Sequence, residues 1–570
     1  MSRRFFLPLL AAAFLSACAT APASAPPVAS APAPLFDKGM VSAADPRAAE
    51  AGAEILRKGG SATDAAIAVM VALTVVEPQS SGIGGGGFFV RGSVDGDVET
   101  LDGRETAPAA AYGGWFLSSS GQPLSWREAV LSGLSIGVPG NLRLAEEAHR
   151  RHGRLAWAEL FQPAIRLARE GWELTERSRM FLEMRPQSAA RDAAGKALFY
   201  DEDGSPKPVG TWLKNPELAA TLEAISGGGA DAIHEGPIAA RLAAHVASDT
   251  PGPSTMTEAD LAAYSVKERA PLCGQYRAYR ICGMGPPSSG ATTVLAILGQ
   301  LEPFDLAALG PDSAGAWHLF AESQRLAYAD RERFLADPDY IAVPAAELVE
   351  PSYLAKRAAL IDAQTTMASA EPGLDLPPPD GMEPPEHGTS HFVVVDKWGD
   401  GVSYTSTVES AFGSGLMFGG FYLNNELTDF SFVAEKDGQL VANRVQGGKR
   451  PRSSMAPTLV YGPDGRLVLA IGAAGGGTIP VQVARAIIGF IDWKLPVDEA
   501  LALPMLYSPG DSVTIEEGSS LEALIPALKA LGHGEVSARR LPVKGNAVVI
   551  GPDSLTGAAD PRSEGRAISE

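Results

Sequence analysis

Three short patterns in this 570-residue chain combine residue types that could do chemistry. In His387-Gly388-Thr389-Ser390-His391-Phe392, a Gly-Thr bond lies where a segment without periodicity meets a strand-like one. There the Thr389 hydroxyl can attack the Gly388 carbonyl and turn the amide into an ester, whose hydrolysis frees a Thr389 amino group. An α-amino group has a pKa of about 7.7–8.0, so near neutral pH part of it can take the hydroxyl proton, directly or through water. One residue then supplies nucleophile and base. Taken alone, the same pair is an ordinary strand start.

The other two patterns compete with it. Gly133-Leu134-Ser135-Ile136-Gly137 matches G-x-S-x-G, which would make Ser135 the nucleophile of an α/β-hydrolase. That elbow needs a buried strand before the serine and a helix directly after it, whereas WREAVLS precedes Ser135 and Pro139-Gly140 delays the helix. Gly82 to Gly87 matches G-x-G-x-x-G, but it follows a helix and Pro78 and leads into a strand, the reverse of a dinucleotide site. It reads as a structural turn. No Cys/His cluster has zinc spacing, so neither a metal nor a cofactor is expected.

The elements that must position Thr389 follow from periodicity. Residues 366–388 are rich in Pro, Gly and Glu, an exposed and breakable composition. TSHFVVVD, a KWGDG turn and GVSYTSTV then predict a hairpin. Strands recur at APTLVY and RLVLAIGA, helices at about 480–493 and 520–531, and NAVVIG closes the pattern. Upstream, one helix is predicted from Asp45 to about Lys58 and another from Thr63 to Val76, too short to span a bilayer. The glycine turn feeds the strand FFVRG, and the strand VETLDGRE delivers Arg104. Helices dominate from about Trp126 to Leu360, including 142–153 and 314–336. A mainly helical half therefore precedes Thr389, and a β-rich half whose sheets need covering helices follows it.

A composition of 45% hydrophobic and 20% charged residues supports a large core. The formal charge of −20 argues against nucleic acid or an anionic lipid surface as a partner. Residues 1–17 read as a signal peptide: basic Arg3-Arg4, apolar Phe5 to Leu15, and Leu15-Ser16-Ala17-Cys18, which resembles a lipobox. That ending implies a cut before Cys18 and lipid on its sulfur and new amino group; an ordinary cleaved signal is the alternative, and the export route stays open. Residues 18–36 are then the lipidated cysteine and a Pro/Ala-rich tether, extended at about 3.1 Å per residue. The expected location is the bacterial cell envelope, in the periplasm, with membrane contact only through the lipid. Cys273 and Cys282 can pair there if YRAY turns back, and cannot if the stretch is one straight strand.

From about Gly39 to Arg562 the sequence resembles the γ-glutamyltransferase family of N-terminal-nucleophile hydrolases. HGTSHF, STVESAFGSG at Ser406–Gly415, LNNELTDF at Leu423–Phe430, KRPRSSMAPT at Lys449–Thr458 and GAAGGGTIP at Gly472–Pro480 carry the resemblance. LDGRETAP around Arg104 and GPPSSG at Gly285–Gly290 support it. It implies Thr389 as nucleophile after a cut between Gly388 and Thr389, Thr407 as the hydroxyl that orients the freed amine, and Gly475 and Gly476 as oxyanion-hole N–H donors. For a γ-glutamyl head group it implies Arg104, Ser453 and Ser454 at the carboxylate and Asp429 at the ammonium, with Glu409 and Glu426 beside it. Family members often carry Asn and Gln at those last two positions, so extra negative charge is expected here. The loop from Asp429 to Ser453 also lacks the tyrosine that some members use as a lid.

The resemblance implies an α+β fold, a four-layer αββα sandwich, built as a heterodimer from one autocleaved precursor: a large subunit at 37–388 and a small catalytic one at 389–570. It implies transfer of a γ-glutamyl group from glutathione or a similar donor to water, an amino acid or a peptide. Two alternatives stand beside it. One is a glutaryl or cephalosporin acylase of the same family, and the other a lipid-tethered binding protein that is never cut.

Overall fold

The computed structural model describes Met1 and residues 33–252, 255–376 and 388–570. Contacts divide the chain into Met1–Ala33 and Pro34–Glu570. The expected signal peptide, Cys18 and nearly all of the tether lie outside the described residues, as do 377–387 just before Gly388.

Alternate residues of the Ser390–Val395 strand enter different layers. Phe392 and Val394 join the core shared with the helices Pro46–Arg57 and Ala62–Val76, while Val393 and Val395 join a core shared with a second sheet. A strand buried on both faces accounts for the near-continuous apolar run FVVV. The first sheet is antiparallel and ordered Arg566–Ser569, Met40–Ala43, Ser390–Val395, Gly401–Thr407, Gly86–Gly92, Val98–Gly103, Lys267–Arg269. The second, also antiparallel, is ordered Leu555–Ala559, Lys544–Ile550, Leu467–Ala474, Thr458–Tyr461, Tyr279–Gly283, Leu272–Tyr276. Helices Gly290–Leu301, Ala314–Phe334 and Ile479–Ile491 cover its outer face. The order helix, sheet, sheet, helix is the αββα sandwich. The first sheet interleaves strands from either side of Thr389 and the second joins four strands after it to two before it, so a cut there leaves two chains that share two cores.

Local chemistry sets the element ends. Asp45 caps the first helix by accepting from the Arg47 N–H, and Ser61 with Asp64 forms a capping box on the second, whose residues are all buried. The helix expected over 520–531 is instead a 3₁₀ turn at Ser520–Leu524 and an α-helix at Ile525–Ala530. Pro526, lacking an N–H and fixing φ, starts the second piece. Within the helical half, Leu272–Tyr276 and Tyr279–Gly283 turn back on each other in YRAY, placing Cys273 opposite Cys282 in a disulfide.

Candidate active site

The hairpin register builds the centre of the site. Ser390 faces Ser406, so Thr389 and Thr407 stand at the same end of paired strands, with the Thr389 hydroxyl donating to Thr407 Oγ1 at 3.2 Å. Thr407 Oγ1 also accepts from the Glu409 N–H at 2.8 Å. Thr389 has φ +102°, a conformation a β-branched residue rarely adopts and one worth about 1–3 kcal/mol of strain. Only the peptide bond to Gly388 defines that angle, so cleavage before Thr389 releases it. Gly388 has φ +87°, and a Cβ there would lie 1.9 Å from the Glu409 carbonyl oxygen.

These residues open on a small cleft lined by Thr389, Thr407, Arg104, Glu409, Glu426, Asp429, Ser453, Gly476, Met455 and Ile479. Eight of the ten catalytic and substrate-binding residues expected from sequence thus share one space. The remaining two do not line it: Ser454 Oγ accepts from Arg331 at 2.6 Å, and Gly475 packs against Thr478, Gln482 and Pro542. Ser453 is braced from the other half, since its carbonyl accepts from Ser289 N–H and Oγ and its N–H donates to Pro287. This is the structural work of GPPSSG. Gly476 opens the 3₁₀ turn Gly476–Thr478, which leads into the helix Ile479–Ile491, so its backbone stands at a helix N-terminus.

Arg104 is buried and bonded to both acids of the short Glu426–Asp429 turn, to Asp429 at 2.5 Å and to Glu426 more closely. It also donates to the Arg452 carbonyl at 2.9 Å. The cation and the carboxylates expected at opposite edges of a ligand are in direct contact with one another. Glu409 is held by Ser410 and Asn425.

Sequence reasoning missed Glu105, whose only signal was its place beside Arg104 in LDGRETAP. It is fully buried, and burial raises it to about 7 although Arg104 opposes the shift. Burial, with Glu105 and Glu409 as neighbours, also holds Glu426 well above the ordinary glutamate range, against the pull of Arg104. Of the carboxyl groups around this guanidinium, Glu105 and Glu426 therefore retain protons near neutrality. The extra negative charge expected from Glu409 and Glu426 is partly cancelled.

The rival motifs resolve as structure. Ser135 is fully buried and its hydroxyl bonds to the Val130 and Ser132 carbonyls. Gly82–Gly87 is a turn into the strand that pairs with Gly401–Thr407, and a Cβ on Gly85 would lie 1.8 Å from the Thr407 carbonyl. Among the described residues, His318, Glu322 and His533 bring metal-capable atoms within 4.8 Å of one another. His318 bonds His533 at 2.8 Å and the Asp362 carbonyl at 2.8 Å, while Glu322 accepts from Arg325, Thr366 and the Met367 N–H. With a guanidinium already on the carboxylate, the group is a hydrogen-bonded seam between segments on either side of Thr389.

Residues 48–569 match the family described as Gamma-glutamyltranspeptidase. The chain is 36% identical to the glutathione hydrolase proenzyme of Bacillus subtilis (strain 168), over 87% of this chain and 85% of that one. It is 35% identical to the glutathione hydrolase proenzyme of Escherichia coli (strain K12), over 92% and 90%. The fold is similar to the crystal structure of a cephalosporin acylase from Bacillus halodurans, with TM-score 0.80, 25% identity, and 96% and 98% coverage.

Proposed function

Given that the chain belongs to the gamma-glutamyltranspeptidase family, we propose that Thr389 is the nucleophile of an autoprocessed γ-glutamyltransferase and glutathione hydrolase, and that the cleft around it holds the γ-glutamyl head group. The observation that carries the assignment is the convergence of Thr389, Thr407 and Gly476 with Arg104, Asp429 and Ser453 on one cleft. In processing, Thr389 Oγ1 bonds to the Gly388 carbonyl carbon, the C–N bond breaks with its proton returned to the freed amine, and water hydrolyses the ester. In turnover the freed amine takes the Thr389 hydroxyl proton as Oγ1 attacks the γ-carbonyl. The amine product leaves with a proton, and water or an acceptor amine then attacks the γ-glutamyl ester. The backbone N–H of Gly476, at the mouth of a helix and on the cleft, stabilises the tetrahedral oxygen, and Gly475, which does not line the cleft, shapes the turn that presents it.

Arg104 and Ser453 take the α-carboxylate, and Asp429 with Glu409 and Glu426 takes the ammonium. Binding exchanges partners: the incoming carboxylate replaces an acid on Arg104, and the acid released meets the ammonium. A glutaryl donor has no ammonium to offer, so the three carboxyls lining the cleft, Glu409, Glu426 and Asp429, favour the γ-glutamyl reading over the acylase one. Ser454, bonded to Arg331, acts by holding Ser453.

The segments 37–388 and 389–570 are read as the two subunits. The lipid on Cys18, the tether at 18–36 and the periplasmic location rest on the sequence of residues 1–36; among the described residues no helix is long and apolar enough to cross a membrane. Mass spectrometry of both chain ends tests the cut and the lipid together. Turnover of γ-glutamyl against glutaryl anilide tests the donor, and preference for the glutaryl compound would overturn the reading.

A further inference from the structure

A buried ion pair, whose residues do not line the cleft, lies against Thr389. Lys544 Nζ donates to both Glu77 oxygens at 2.7 and 2.8 Å and reaches the Thr389 carbonyl oxygen at 3.3 Å. Ser390 Oγ donates to Glu77 at 2.6 Å and lies 3.4 Å from Lys544 Nζ. All of these side chains are buried. Lys544 sits opposite Ala474 in the second sheet, beside the Gly475–Gly476 turn, and Glu77 ends the helix Ala62–Val76. The cluster thus ties both sheets and both sides of the cut to the carbonyl of one residue.

We propose that Lys544, pinned by Glu77 and Ser390, is a positioning residue for Thr389 that fixes the nucleophile by its carbonyl and, through its charge, favours the free-base form of the Thr389 amine. The inference rests on Thr389 acting through its freed amine. The amide nitrogen lies within about 3.6 Å of the carbonyl oxygen of its own residue, so Nζ and the amine are at most about 7 Å apart. A cation at that range lowers an amine's pKa by an amount set by the local dielectric, on the order of one unit here with Glu77 opposing. An ammonium without Glu77 could not stay charged in this interior: burial lowers Lys544 to about 8 even with Glu77 beside it. Burial pushes Glu77 up, but Lys544 and Arg177 hold it below the usual carboxylate range.

The other charged groups near the cluster include Arg177, with Nε 3.8 Å from Glu77, Asp45 ahead of the first helix, and Arg47, which pairs with Asp45 and also acts on Glu77. Around Thr389 they are Glu409 and, across the cleft, Arg104, Glu426 and Asp429. His391, two residues on, is lowered by burial to about 3 and stays neutral.

The test compares pH–rate profiles of the cut wild-type enzyme, Lys544→Gln and Lys544→Arg on a γ-glutamyl anilide. Lys544→Gln keeps a donor and loses the charge: the acid limb of kcat/KM should move up by about one pH unit and kcat fall, with KM within about twofold. Lys544→Arg should leave the limb in place. An unmoved limb in Lys544→Gln, or an equal shift in both variants, overturns the proposal. Should Lys544→Gln not yield cut enzyme, cyanate labelling of the wild-type Thr389 amine against pH reads the same quantity by mass spectrometry. A value below the ordinary α-amino range of about 7.7–8.0 supports the proposal, and one within or above it overturns it. An uncut, inactive wild type would instead remove the nucleophile assignment on which the proposal rests.

Discussion

The Thr389 and Thr407 hydroxyls, eighteen residues apart in sequence, meet at 3.2 Å because one hairpin register brings the strand ends together. Thr407 Oγ1 also anchors the Glu409 N–H, so it fixes the turn that carries an acid of the cleft. Thr407→Ala should slow both processing and turnover, the latter by about a hundredfold, the lower range for a misplaced acid–base partner. Thr407→Ser should keep most of both. Band ratios on a denaturing gel and kcat of the cut fraction measure the two effects separately.

Gly388→Ala should leave the precursor uncut, or cut at least about tenfold more slowly. The new Cβ would meet the Glu409 carbonyl oxygen at 1.9 Å in a backbone region that disfavours side chains. Relief of that clash moves the carbonyl that Thr389 must attack, and about 1.4 kcal/mol of misplacement is worth a factor of ten. Timed gels of both precursors decide it; equal rates would refute the geometry.

Arg104→Lys should raise KM for a γ-glutamyl donor by roughly tenfold to a hundredfold, the loss of one or two charge-assisted hydrogen bonds. Its guanidinium reaches Glu426, Asp429 and the Arg452 carbonyl at once, a fork that an ammonium does not reproduce. Steady-state kinetics should show kcat changing much less than KM.

Glu105 makes stability depend on pH. Its folded pKa, about 7, exceeds the ordinary 4.5, so the protonated form favours the folded state. That contribution is fully present below pH 4.5 and lost as pH rises through 7, a swing on the order of 3 kcal/mol. In a Thr389→Ala background, which keeps one chain, Glu105→Gln should flatten the decline across that window. Parallel urea midpoints for both proteins from pH 4.5 to 7 would contradict this.

Much of the fold was legible because it rests on local periodicity and end chemistry. The stretches from Asp45 to Lys58 and from Thr63 to Val76 announced two helices, and TSHFVVVD with GVSYTSTV announced the hairpin, because periodicity and alternation act over a few residues. The turn at Pro526 was less legible, since the apolar pattern continues through it while Pro526 lacks the N–H that one continuous helix would use.

Sequence alone determined the candidate nucleophile, the break in composition before it and the order of motifs that supply the head-group residues. Tertiary structure decided what depends on distance through space. It turned Ser454 toward Arg331, closed Cys273 on Cys282, and set Arg104 directly on Glu426 and Asp429. It also put Glu105 in the acid cluster and carried Lys544, 155 residues from Thr389, to the nucleophile's carbonyl. Burial and Coulomb interactions fall off with separation in space, not along the chain, so no local pattern could have encoded those charges.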